Sequence, residues 1–92
     1  MKLREFLTDD RWCQGCYARD IDGNEVFFYD ESAHSFSLLG ALWHLYDDPA
    51  ERMKCQDRLA SLVRVLHNKR IEEFNDIAEW SDINRIILTI NC

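Results

Sequence analysis

Ser32-Ala33-His34-Ser35-Phe36-Ser37-Leu38-Leu39-Gly40-Ala41-Leu42-Trp43-His44-Leu45-Tyr46 is the stretch on which the fold turns. Phe36, Leu39, Trp43 and Tyr46 form one helical stripe, and Leu38, Leu42 and Leu45 form an adjoining one. The spacing predicts a helix from about Ala33 to Tyr46, capped by Ser32. So wide an apolar arc belongs to a central, well-buried helix. Gly40-Ala41 makes its narrow side. An interior Gly costs about 1 kcal/mol relative to Ala, so close approach by another backbone is the expected reason for it.

C-terminal to this helix, Asp48-Pro49 reads as a helix start, with Asp48 at the cap and Pro49 where its missing N–H does no harm. The helix is expected to reach about His67. Cys55, Leu59, Leu62, Val63 and Leu66 share its inner face, with Lys54, Arg58, Ser61 and Arg64 toward water. Ile71 and Phe74 anchor a turn or short helix before Asn75-Asp76. Ser81 then caps a last helix whose buried stripe is Ile83, Ile86, Ile87 and Ile90.

N-terminal to it, Leu3, Phe6 and Leu7 set a brief helix. Tyr17–Ile21 and Glu25–Tyr29 flank Asp22-Gly23-Asn24, a turn that accepts positive φ, and predict a two-stranded hairpin. Two strands alone are marginal in water, so Tyr17 or Val26 and Phe28 must face helices. The expected fold is α+β and mainly helical, a two-stranded β-hairpin packed on about three longer helices plus a short N-terminal helix. A chain of 92 residues gives a single compact domain over 1–92.

Charge narrows the partners. Seventeen acids against eleven bases leave a net −6, which disfavours direct nucleic-acid binding, because that requires neutralising phosphates with Lys and Arg. The acids are spread along the chain, as on a solvated surface. No apolar run reaches membrane-spanning length, and Met1–Phe6 lacks the apolar centre of a secretory signal, so no membrane partner is expected and the chain reads as cytoplasmic. In that compartment four cysteines read as reduced thiols without a structural disulfide, with Cys55 a small core residue.

Four constellations carry possible chemistry. Trp12-Cys13-Gln14-Gly15-Cys16 resembles a thioredoxin-type active site, but the required strand before it, helix after it and facing cis-proline are missing. Cys13 and Cys16 have zinc-ligand spacing, yet no second ligand pair exists; His34 and His44 lie ten residues apart, and the expected metal content is none. Asp20-x-Asp22-x-Asn24 with Glu31 at the twelfth position matches much of an EF-hand loop, but Glu25 stands where that loop needs Gly. His34 or His44 with Asp76 or a thiol are the only components of a hydrolytic site, and His44 reads as solvent-facing beside Asp47 and Asp48.

Trp12-x-x-Gly15, Ala18-Arg19-Asp20-x-x-Gly23, Ser37-Leu38-x-Gly40-Ala41-Leu42 and Asn75-Asp76, in that order, resemble a family of small bacterial and phage proteins known only as a domain of unknown function. The resemblance runs from Trp12 to about Ile90. The family often has Cys where Ser37 stands, and Cys16 lies outside the pattern. It implies a shared fold and supplies no activity. Gly23 suits a turn, Gly40-Ala41 close packing, Trp12 a core anchor, and Asn75-Asp76 a side-chain-bonded cap.

The functional expectation is a small, acidic, non-enzymatic protein-binding module without cofactors, whose partner is a protein with a basic surface. Arg19, Asp20, Asp22, Glu25, Asn75 and Asp76 are the candidate partner-binding residues, with Tyr29, Phe27 or Trp80 as aromatic anchors. Viral inhibitors of bacterial defence complexes, including anti-CRISPR proteins, have this size and charge and give the module a concrete form. Exposed apolar residues that serve self-association instead, in a homo-oligomer, are the other reading of the surface. The alternative is a metal-binding or thiol-redox protein using Cys13 and Cys16.

Overall fold

In the computed structural model, which describes residues 1–92, one helical turn, α1 (Leu3–Phe6), and a 3-10 turn (Asp9–Arg11) lead to two short strands, β1 (Ala18–Arg19) and β2 (Ser35–Phe36). Four helices follow: α2 (Leu38–Leu45), α3 (Pro49–His67), α4 (Ile71–Ile77) and α5 (Trp80–Ile90). The class is α+β and mainly helical, with one antiparallel pair of strands, as the periodicities predict.

Both ends of α3 follow from local chemistry. The Asp48 side chain accepts from the Ala50 amide at 3.3 Å, Pro49 fills the first turn, and Asn68 ends the helix in the left-handed conformation at φ 54°. Cys55, Leu59 and Val63 are buried, whereas Leu66, expected on the same face, is exposed. The stripe of α5 is as predicted: Ile83, Ile86, Ile87 and Ile90 are buried. Its start differs, since Glu79 is the capping position and Ser81 already lies inside the helix.

The antiparallel partner of β1 is β2, with Ala18 opposite Phe36 and Arg19 opposite Ser35, rather than the 25–29 segment. The expected hairpin is only begun. Gly23 takes φ +88° and its amide donates to Asp20 O at 3.0 Å, Asp20 N donates to Asn24 O at 2.8 Å, and Val26 N reaches Ala18 O at 3.1 Å. Pairing stops there, because the chain turns again at Phe27–Asp30 and Asp30–Ala33. The predicted alternation survives without a strand: Val26 and Phe28 pack against the core, and Phe27 and Tyr29 face solvent.

Recruiting Ser35 and Phe36 into the sheet also moves the start of the central helix. It begins at Leu38, not Ala33, and its cap is Ser37, whose Oγ accepts from Gly40 N at 3.1 Å. Ser32 instead bonds the Asp30 carboxylate through its amide and hydroxyl. Gly40 does lie against another backbone, as its place in the helix implies. The Tyr17 carbonyl lies directly over the first turn of α2, accepting from Ser37 N at 3.1 Å. A Cβ at Gly40 would stand 2.8 Å from the Tyr17 carbonyl carbon and 3.2 Å from its Cα.

Cys55 and Cys92 are joined as a disulfide, which corrects the expectation of four reduced thiols. Their Cα atoms are 6.0 Å apart across 37 positions of sequence. The pairing arises because α5 packs along α3 and Asn91, at φ 55°, turns the last residue back onto Cys55. The same turn secures the N-terminus: Leu3 N donates to Cys92 O at 2.6 Å, and Lys2 and Arg4 both donate to Asn91 Oδ1 at 2.7 Å. Cys55 is nonetheless buried, as its helix position implies. No helix is long and apolar enough to cross a membrane.

Candidate functional site

Asn75 is the polar centre of the molecule. It sits on α4, is 1% exposed, and its side chain ties three separate segments together. Its Oδ1 accepts from the Trp12 indole N–H at 2.8 Å and from the Leu38 amide, at the start of α2, at 3.0 Å. Its Nδ2 donates to Cys13 O at 3.1 Å. A buried amide costs free energy unless its donors and acceptors are met, and here no buried side-chain nitrogen or oxygen lacks a partner.

The neighbouring residues extend this knot to the surface. Asp76 accepts the Gly15 amide at 2.8 Å, which fixes the turn where Gly15 takes φ +84°. Gln14 Nε2 donates to the carbonyls of Asn75 and Ala78 at 3.0 and 3.1 Å. Arg19 spans two carbonyls, Gly23 O at 3.0 Å and Gln14 O at 3.1 Å, so it links the β1 turn to the Trp12–Cys16 loop. A cleft of about 290 Å³ opens above the knot, lined among others by Gly15, Cys16, Ser37, Asn75 and Asp76, with Glu25 and Glu72 at its side.

Trp12, Gly15, Arg19, Gly23, Ser37, Gly40, Asn75 and Asp76 are thus contact neighbours or successive links of one hydrogen-bonded unit. The family of unknown function DUF6197 matches residues 2–85 and covers all of them. The chain belongs to that family. No curated protein and no solved structure matches the chain. In this DUF6197 chain every residue of the unit has a structural employment.

The predicted site residues separate accordingly. Asn75 is turned inward, so its role is positioning, and the Arg19 guanidinium is committed to its two carbonyls. Asp20 accepts from the amides of Asp22 and Asn24 at 3.0 and 2.8 Å and from Asn24 Nδ2 at 3.3 Å. Those bonds, the Asn24 amide first, hold its carboxyl below the usual carboxylate range. The apparent calcium-loop spacing is therefore a side-chain-closed turn. Asp22 and Glu25 carry exposed carboxylates, and Glu25 borders both the cleft above the knot and a second, aromatic one.

That second cleft, about 590 Å³, lies between the loop after β1 and helix α2. Its wall is a run of rings, Tyr17 against Trp43 at 5.1 Å and Trp43 against Phe28 at 5.5 Å, and Phe28 meets Tyr29, outside the cleft, at 5.1 Å. Phe27 and Tyr29, both 67% exposed, stack at 5.2 Å with planes 2° apart. Trp80, also expected as an exposed anchor, instead packs on the core and on Trp12 at 5.9 Å. Trp43 and Asp30 enter the site unannounced. Trp43 reads as core in the sequence, and the only signal for this wall is the alternation through Val26–Tyr29.

Cys13 and Cys16 are free and partly buried. Burial first, then the neighbouring Cys16, pushes the Cys13 thiol up to about 11, whereas a nucleophilic redox cysteine has a lowered value. No cluster of three or more His, Cys, Asp or Glu side chains is placed to hold a metal ion. His44 bonds the Phe28 carbonyl through Nδ1 at 2.8 Å, stacks on Phe6 at 5.3 Å and meets Phe36 at a tilt at 4.8 Å, so it braces the aromatic wall rather than simply facing water. No hydrogen bond joins His34 or His44 to a thiol or a carboxylate.

Proposed function

We propose that this chain is a non-enzymatic protein-binding module that docks a basic surface of a larger protein through residues 20–31 and the adjoining aromatic face. One observation carries the reading. Residues 20–34 contain five of the seventeen acids and none of the eleven bases, so this stretch holds −5 of the chain's −6. It also displays the stacked Phe27 and Tyr29 rings. The one ion pair in the molecule, Arg70–Glu73 at 3.2 Å, lies elsewhere, leaving these carboxylates without internal cations.

Exposed aromatic rings beside unpaired like charges are a poor surface for an isolated protein and a good one for an interface. The rings supply anchoring area at low entropy cost, and the carboxylates steer a cationic partner and disfavour others. A phage-type inhibitor that covers a basic channel, of the anti-CRISPR kind, is the concrete form of this reading; size and charge support it. Docking is then steric and electrostatic.

The test is affinity capture from host lysate with the wild-type chain, an Asp20→Asn/Asp22→Asn/Glu25→Gln variant and a Phe27→Ser/Tyr29→Ser variant. The expected result is a basic protein retained by the wild-type chain, lost from both variants, and released by moderate salt. Equal retention by the neutralised variant overturns the proposal.

A further inference from the structure

The aromatic cleft narrows the chemistry of the partner. The rings of Tyr17, Phe27, Phe28 and Trp43 line it, Glu25 and Asp30 bring two carboxylates, and no Lys, Arg or His lines the space. Trp43, Phe28 and Asp30 are held in place before any ligand arrives. Trp43 donates its indole N–H to Gln56 Oε1 at 2.9 Å, and the Phe28 carbonyl is held by His44. Asp30 accepts from the Ser32 amide and hydroxyl at 2.8 and 2.7 Å, bonds that keep its carboxyl below the usual range and hence ionised.

An apolar ligand would leave both carboxylates facing low-dielectric material, which is costly. An ammonium carries a tight hydration shell into the same space. A guanidinium is planar and weakly hydrated, stacks on aromatic faces and pairs with a carboxylate through two parallel N–H groups. The molecule already uses this contact internally: the Arg11 guanidinium lies 4.7 Å from the Phe6 ring centroid and 5.8 Å from that of Phe36.

We propose that the cleft between Trp43 and the Glu25–Asp30 loop receives an arginine side chain of the basic partner, stacked on its aromatic wall and paired with Glu25 or Asp30. This deepens the docking reading and rests on it. Charge complementarity selects the occupant, since the guanidinium supplies the one group the cleft lacks. Phe27, at the rim, would close over the methylene stem.

The experiment is an NMR amide titration of the full chain with acetyl-Gly-Arg-Gly-amide, its lysine counterpart and its citrulline counterpart. The arginine peptide is expected to give saturable shifts at the Glu25–Asp30 amides and the Trp43 indole, binding roughly three- to tenfold tighter than the lysine peptide. Citrulline is expected to give no saturable shift. Glu25→Gln/Asp30→Asn, which keeps an acceptor for Ser32, should weaken arginine binding by about tenfold if both carboxylates act. Absence of saturable shifts, equal response to lysine or citrulline, or shifts confined to the Gly15–Asp76 cleft would each overturn the assignment. No partner protein enters this titration. Its failure alongside salt-sensitive capture removes only the arginine pocket, while failure of both removes the docking reading as well.

Discussion

Replacing Asn75 with Ala should cost the fold a substantial part of its stability while leaving every backbone–backbone hydrogen bond in place. The substitution strips the acceptor from the Leu38 amide, which is buried, and from the Trp12 indole N–H, and it strips the donor from Cys13 O. A buried donor or acceptor left without a partner costs about 1–3 kcal/mol. The half-buried Trp12 nitrogen can recruit water and sits at the low end, so the three losses together come to about 3–5 kcal/mol. A domain of 92 residues has roughly 5–14 kcal/mol in hand.

Urea unfolding followed by circular dichroism and tryptophan fluorescence measures the difference. Asn75→Ala is expected to lower the midpoint with an unchanged slope, and the gap should be several times that of Asp76→Asn, which keeps an acceptor for Gly15 N. Asn75→Asp separates the components. It retains the Oδ1 acceptor but removes the donor to Cys13 O and sets a carboxylate beside Asp76, whose Oδ1 is 3.5 Å from the present amide nitrogen. An Asn75→Ala chain within about 1 kcal/mol of wild type would show that the hydrogen bonds do not bind the three segments, and the knot would be a description without energetic content.

Gly40→Ala should destabilise by about 1–3 kcal/mol although Ala is the better helix former, because the new Cβ meets the Tyr17 backbone; thermal melting at or above wild type would refute the close approach. Opening the Cys55–Cys92 link by Cys92→Ser should cost about 4 kcal/mol on the chain-entropy estimate for its 37-residue separation. Equal urea midpoints with and without reductant would mean that the link does not constrain the unfolded chain. Cys13, held protonated by burial, favours the folded state fully below its unfolded value of 9.0, and that contribution disappears as pH rises through about 11. At pH 8 its alkylation by iodoacetamide should be much slower in the native chain than in urea, and equal rates would contradict the burial.

How much of this was legible in the sequence depended on how far each cause reaches. The start and end of α3 were legible because Asp48, Pro49 and the turn at Asn68 act within one helical turn. The start of α2 was not. Ser32 and Ser37 are equally good caps by type, and the choice is made by Ser35 pairing with Arg19, sixteen positions away, and Phe36 with Ala18, eighteen positions away. The hairpin expectation found the turn and the inward and outward alternation correctly but could not see that the other edge of β1 was the better-supported one. Nor could spacing reveal the disulfide, whose partners meet only once α5 lies along α3. At the site, Asp22 and Glu25 were readable as free charge. Trp43 was not, since a helix arc reports that a ring meets protein on one side and is silent about its other side.

The distribution of polar chemistry separates two tasks along this chain. The residues that resemble the family pattern, from Trp12 to Gly23, Ser37 to Leu42 and Asn75-Asp76, spend their hydrogen bonds on one another. Asn24–Phe36, inserted between two of those blocks, holds Glu25, Asp30 and Glu31 and the stacked rings. A carboxylate consumed inside the knot cannot also attract a partner; one left on the loop contributes repulsion to the folded state and attraction only to something cationic. Apart from Asp20 and Asp22, which close the first block and also carry charge at the docking face, stability and recognition draw on different side chains, with β1 as the join: Val26 and His34 hydrogen-bond to its two carbonyls at 3.1 and 2.8 Å, anchoring both ends of the loop on the scaffold. Such an arrangement lets the loop present charge and aromatic surface rigidly, which is what a docking face requires if its binding energy is not to be spent on ordering itself.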